Sequence, residues 1–226
     1  ASLKTSVFRD DPLKKACFTA CRTGNCKGTS KNNQFFEVPK TNKIVLYAPT
    51  YRGEHLHPKQ ISRSILLDSG RILEALTRKF DANHLFLYRT HYYTDNSEII
   101  NNTGCNTNSI ISASEYPDMQ ELLCAADILI TDYSSSIWDF SFTFKPCFLF
   151  APDVEEYKTQ QGFYTPIEEW PFSLAKTNEE LVDNINRFDS EKYRAAVKDH
   201  HRKLGAYEQG TAAKQFCDLL FGDLSK

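Results

Sequence analysis

From residue 43 onward the apolar positions fall into short unbroken runs divided by longer amphipathic stretches. Ile44-Val45-Leu46-Tyr47 is β-branched and aromatic and is closed by Ala48-Pro49, so it predicts a buried strand. Residues 85–88, 109–112, 127–131 and 147–150 repeat that pattern, which gives five strands. Between them the spacing turns helical. Ile65, Leu66, Ile72, Leu73, Leu76 and Phe80 approximate one face of a helix over residues 61–80, weakened in its middle by Gly70. Pro117-Asp118 opens a helix carrying Met119, Leu122 and Leu123, and Ser134 opens another that runs to Phe142. Residues 93–108, rich in Asn and Thr, predict a long polar loop. Beyond strand five the pattern predicts a loop through Gly162 and Pro171, then helices over 178–188, 190–204 and 209–220. Thr177 stands as an N-cap there, with Glu180 at the capping-box spacing.

Strands that are apolar throughout and alternate with helices indicate an α/β fold, a parallel sheet covered by helices on both faces. Such sheets take ligands in the crevice at the carboxyl ends of their strands. The informative residues are then those just past each strand. They are Thr50 and Arg52, Arg89 and His91, the run Asp132-Tyr133-Ser134-Ser135-Ser136, and, after strand five, Asp153 and Gly162-Phe163-Tyr164. Ser is a good N-cap, and a helix start presents free N–H groups that hold phosphate, so Ser134 to Ser136 read either as a simple cap or as a phosphate cradle. Arg52 and Arg89 read as forks for phosphate oxygens or as unpartnered surface charges. Three roles fit His91: a neutral base, an imidazolium that stabilises phosphate charge, or a satisfied buried side chain.

Composition removes several classes. Among 226 residues, 27 Lys/Arg stand against 29 Asp/Glu, a net charge of -2, which excludes a globally basic nucleic-acid binder. Sixteen Phe and eleven Tyr are enough to fill a sizeable core. No run of about 18 apolar residues is present to span a membrane as a helix. Residues 1–40 read as a separate basic lead-in, with eight Lys/Arg against three Asp/Glu and one short helix over 13–20. Its charge is a solvated surface or a patch for anionic lipid or polymer. The start at Ala1 rather than Met, without the apolar core of a signal peptide, suggests a processed or excised piece of a longer protein. Seven cysteines are an odd number and read as reduced thiols; Cys17, Cys21 and Cys26 lack the second pair a zinc site needs. His55 and His57 read as an exposed loop pair, and His200-His201 as a surface pair on a helix. Asp132 with Asp139 suggests a Mg²⁺ site, although both also fit as helix-start acids. The common dinucleotide, P-loop, serine-hydrolase and zincin motifs are absent.

Several of these segments resemble one family. The stretch ending Leu46-Tyr47-Ala48-Pro49-Thr50-Tyr51-Arg52 is similar to a segment of the CDP-glycerol glycerophosphotransferases, the teichoic acid and capsule polymerases. Tyr88-Arg89-Thr90-His91-Tyr92 resembles a strand end of the same family. The longest likeness runs from Tyr116-Pro117-Asp118-Met119 through Ala126-Asp127-Ile128-Leu129-Ile130-Thr131-Asp132-Tyr133-Ser134-Ser135. Lys145-Pro146, Tyr157 and Gly162-Phe163-Tyr164 also fit.

The resemblance implies one Rossmann-like half of a two-domain GT-B fold, with residues 41–226 as the nucleotide-donor-binding domain. It implies an enzyme that moves a polyol phosphate, glycerol phosphate first, from a CDP-activated donor to a hydroxyl of a teichoic-acid-like or capsular polymer, releasing CMP. By the same likeness His91 is catalytic, and Ser134 and Ser135 contact the donor pyrophosphate. Arg52, Thr50, Arg89, Asp132, Ser136 and Gly162 complete the expected donor site. The resemblance implies no resident metal, with Mg²⁺ left open, and no nucleic acid. It also implies a polymer or lipid-linked acceptor and peripheral association with the cytoplasmic face of a bacterial membrane. The sequence departs from the family at Gln161, where Arg is usual, at Thr165-Pro166 and at Pro171-Phe172-Ser173. These departures leave open another CDP-polyol, a sugar 1-phosphate donor, a GT-B glycosyltransferase, or a non-catalytic nucleotide-binding domain.

Overall fold

A computed structural model describes residues 42–50, 67–89, 110–206 and 210–222. The lead-in with its three cysteines, Arg52, His55, His57, His91 and the loop at 93–108 lie outside the described residues. Among the described residues six strands form one sheet: β1 (Lys43–Tyr47), β2 (His84–Tyr88), β3 (Ile110–Ser112), β4 (Ile128–Thr131), β5 (Cys147–Phe150) and β6 (Ser173–Ala175). Their order is β3-β2-β1-β4-β5-β6, and every neighbouring pair is parallel. The chain therefore builds outward from β1 in one direction, returns, and builds outward again from β4. The reversal of strand order falls between β1 and β4, the place where a sheet of this order opens a ligand crevice.

Alternation along each strand divides the core in two. Ile44, Leu46, Leu85, Leu87, Leu129, Cys147 and Leu149 point to one face. There they meet α2 (Met119–Ala125), α3 (Ser136–Ser141), α4 (Val154–Gln160) and α6 (Ser190–Leu204) through Leu122, Leu123, Ile137, Phe140, Val154, Tyr193 and Val197. Val45, Phe86, Tyr88, Ile128, Ile130, Phe148 and Phe150 point to the other face. That side is covered by α1 (Ser69–Phe80) and α5 (Asn178–Arg187). Strands covered on both faces have no polar side to show, which is why their sequences read as continuous apolar runs.

Helix starts follow their caps. Asp68 accepts from the Arg71 amide, so α1 begins at Ser69 and Gly70 falls harmlessly in its first turn. Asp118, Thr177 and Asp189 cap α2, α5 and α6 in the same way. The structure corrects the expected count of five strands. β6 escapes the pattern because it is three residues long, at the sheet edge, with only Ala175 buried. The expected loop before it holds α4 and a 3-10 turn at Ile167–Glu169; α4 buries only Val154, so it shows almost no apolar stripe. A last helix, α7 (Ala212–Phe221), buries none of its residues.

Candidate functional site

Two strand ends meet at the reversal point. β1 leads into Ala48-Pro49-Thr50 and β4 into Asp132-Tyr133-Ser134. Two consecutive residues of β4's exit grip β1's exit. The Thr131 hydroxyl donates to the Ala48 carbonyl at 2.7 Å. Asp132, 1% exposed, accepts from the Thr50 amide at 2.9 and 3.0 Å and from the Thr50 hydroxyl at 2.6 Å. The same carboxylate accepts from the Ser134 amide at 3.3 Å. Thr50 and the turn from Asp132 to Ser134, distant in sequence, are thus one hydrogen-bonded unit.

The serine run differs in detail from the expectation. α3 begins at Ser136 rather than Ser134, and Ser135 occupies the cap position without a side-chain capping bond. The Ser134 and Ser136 hydroxyls bond each other at 2.8 Å. Ser136 is buried, whereas Ser135 is exposed. With six residues, α3 carries little macrodipole, so the polarity of the turn comes chiefly from hydroxyls and local amides. Ser135 is the member of the triplet that faces solvent.

Arg89 continues β2 at the same edge, its amide donating to the Tyr47 carbonyl at 2.8 Å. Its Nη1 is buried without a hydrogen-bond partner. Burial lowers the guanidinium from its ordinary value, and the Asp118 charge works against that. An arginine stays protonated through such a shift, so Arg89 is a cation with donor capacity to spare.

Gly162 has a structural assignment of its own. At φ 73° it ends α4, and its amide donates to the Tyr157 carbonyl at 3.1 Å. The segment it starts is tied to the serine loop by aromatic rings. Tyr133 stacks on Tyr157 at 4.0 Å between ring centroids and leans on Phe163 at 5.4 Å. The Tyr133 hydroxyl donates to Asp153 at 2.9 Å. Tyr164, the next residue along, is fully exposed. Sequence reasoning gave no role to Thr131 or Tyr133. Their signal is adjacency to Asp132 at the exit of β4.

Other candidates separate from this group. Asp139 is on the exposed side of α3 and accepts from Gln120 at 3.0 Å, while Asp132 is buried and accepts from Thr50 and Ser134. Among the described residues no three His, Cys, Asp or Glu are grouped to hold a metal. His200 and His201 are not a surface pair. His200 stacks on Trp138 at 5.2 Å, and His201 Nε2 lies 2.7 Å from the Ser141 hydroxyl. They face inward because the carboxyl end of α6 meets Trp138 and Ser141 of α3.

Comparison with known proteins addresses what such an edge belongs to. The chain is 30% identical over 189 residues to the teichoic acid poly(glycerol phosphate) polymerase of Bacillus subtilis strain 168, covering 81% of this chain and 24% of that protein. It is 31% identical over 188 residues to the enzyme of that name in Bacillus spizizenii, covering 82% and 46%. A teichoic acid poly(ribitol-phosphate) polymerase of Bacillus spizizenii is 30% identical over 170 residues, covering 74% and 26%. A variant of the wall teichoic acid polymerase TagF superposes with a TM-score of 0.64 at 26% identity, covering 95% of this chain and 49% of that one. A further TagF structure, described as soaked with CDPG, superposes with a TM-score of 0.61 at 25% identity, covering 91% and 45%. The chain spans about a quarter to a half of the length of these relatives. A family model for CDP-glycerol:poly(glycerophosphate) glycerophosphotransferase matches residues 19–222, most of the sequence, and the chain belongs to that family.

Proposed function

We propose that the chain is the donor-binding half of an enzyme that transfers a polyol phosphate, glycerol phosphate foremost, from a CDP-activated donor to a hydroxyl of a teichoic-acid-like polymer. The observation that carries the reading is the bonded unit of Thr50, Asp132 and Ser134 at the point where strand order reverses. It is built from the segments that resemble the family most closely, and it lies where α/β sheets bind nucleotides. The similarity to a TagF structure soaked with CDPG supports a cytidine donor.

In this reading the Ser134 and Ser135 hydroxyls hold the pyrophosphate while Arg52 and Arg89 supply positive charge. An acceptor hydroxyl attacks the phosphorus that bears the polyol, and the bond from that phosphorus to the oxygen bridging to CMP breaks. The electron pair leaves with CMP. His91 contacts that bridging oxygen, as a cation or as the proton donor to the leaving group. Little covalent work falls to the protein, so positioning and electrostatics carry the rate. The acceptor's proton goes to a base on the part of the enzyme beyond this chain. Acceptor and membrane-face association belong to the same proposal: a polymer growing on a lipid anchor brings the enzyme to the cytoplasmic surface.

Calorimetric titration with CDP-glycerol, CDP-ribitol, CMP and a UDP-sugar tests the reading. Preference for the cytidine ligands is the expected result. Preference for the UDP-sugar would replace it with a glycosyltransferase, and binding of none would leave a non-catalytic module. In the full-length enzyme His91→Ala is expected to keep CDP-glycerol affinity within about tenfold and to lose turnover; undiminished turnover removes His91 from the mechanism.

A further inference from the structure

We propose that Asp132 is a positioning residue, a buried latch that joins the exits of β1 and β4 and fixes the donor cradle before any ligand arrives. For its ligand the inference rests on the donor-binding reading above; for its geometry it does not. Asp132 Oδ1 accepts three bonds, from the Thr50 amide at 2.9 Å, the Thr50 hydroxyl at 2.6 Å and the Ser134 amide at 3.3 Å. Oδ2 accepts from the Thr50 amide at 3.0 Å. The Thr50 and Asp132 positions are 82 residues apart, so the bonds close a crossing that no local element controls.

A carboxylate aimed at a pyrophosphate would repel it. Among the described residues Asp132 instead accepts from two amides and a hydroxyl, at 1% exposure, and offers shape to the turn. The bond to the Ser134 amide sets the backbone from which the Ser134 hydroxyl reaches Ser136, and it leaves Ser135 as the hydroxyl turned to solvent. Thr131, gripping the Ala48 carbonyl, holds the same two exits one residue earlier, so the fold survives loss of the latch while Thr50 and Ser134 gain freedom. That freedom is an entropic cost charged to binding. Asp132 therefore acts on donor affinity and KM, with kcat for saturated enzyme affected less.

A double-mutant cycle separates this role from direct contact. Asp132→Asn replaces one acceptor oxygen with a donor, and Thr50→Val removes the 2.6 Å hydroxyl bond; each is expected to loosen the latch and weaken CDP-glycerol binding by about tenfold, and the double variant is expected to be no weaker than about tenfold, because both act on one latch. Thr50→Ser, which keeps the hydroxyl, is expected to bind like the parent. Losses that multiply to about a hundredfold would overturn the latch in favour of independent contacts. Affinity losses that track a matching fall in melting temperature would mark Asp132 as structural only. Hydrogen exchange supplies an arm without ligand: the Thr50 and Ser134 amides are expected to be slow in the parent and fast in Asp132→Asn, and unchanged rates would refute the proposal. If the parent fails to bind CDP-glycerol, the donor reading falls while the exchange arm still judges the latch. If Asp132→Asn fails to fold, Thr50→Val set against Thr50→Ser carries the affinity arm.

Discussion

His84, His200 and His201 all sit where a charged imidazole is unwelcome. His84 is 7% exposed, and neither ring nitrogen has a hydrogen-bond partner. Burial lowers its pKa; burial and then Lys203 lower that of His200; burial and then His200 lower that of His201. The folded state thus keeps these rings neutral at pH values where the unfolded chain, near the ordinary 6.5, binds protons. More protons on the unfolded side mean that stability is present above that value and declines as pH falls below it. Urea titrations between pH 7 and 5.5, above the carboxylate range, are expected to show this decline, and His84→Leu to reduce it. A flat profile would contradict the assignment. At this scale the sequence was only partly informative. It placed Thr50 and Asp132 at strand ends, but their bond depends on which strands are neighbours, and no local pattern states that. His200-His201 looked like a surface pair because ring stacking on Trp138 leaves no periodic trace.

Among the elements, α2 shows how a motif residue serves the fold. Lys145 Nζ donates to the carbonyls of Cys124 and Ala126 at 3.0 and 2.5 Å, so a distant lysine closes the carboxyl end of α2. A cation there satisfies carbonyls that have no partner within the helix and meets the negative end of its dipole. Lys145→Met keeps the length and removes the ammonium from both carbonyls, which costs about 1–3 kcal/mol. Chemical denaturation would read that loss; a change below about 0.5 kcal/mol would show that water replaces the ammonium without cost. Element identity was otherwise legible where burial is two-sided or caps are strong. The runs of β1, β2, β4 and β5, the helix start at Pro117-Asp118 and the cap Thr177 fell where the sequence put them. The expected helix start at Ser134 moved to Ser136 because Asp132 holds the Ser134 amide in the preceding turn. β6 and α4 were missed because each buries a single residue.

For the whole molecule, the strand order does the organising. Building outward twice from the β1–β4 seam brings Thr50, Arg89 and Asp132 with Ser134 to one edge, while Asn42, Lys43 and His84 lie at the opposite one. Family membership supports the chemistry proposed for that edge, and the match, which covers less than half of each of these relatives, places the acceptor side elsewhere in the proposal. The central claim is that the donor pyrophosphate is held at the serine turn beside this seam. Amide chemical shifts of the isotope-labelled chain, followed through a CDP-glycerol titration, test it most directly. The account predicts that the largest shifts fall on Thr50, Arg89 and Ser134 to Ser136, with Asn42, Lys43 and His84 unmoved; saturable shifts centred on the opposite edge would contradict it.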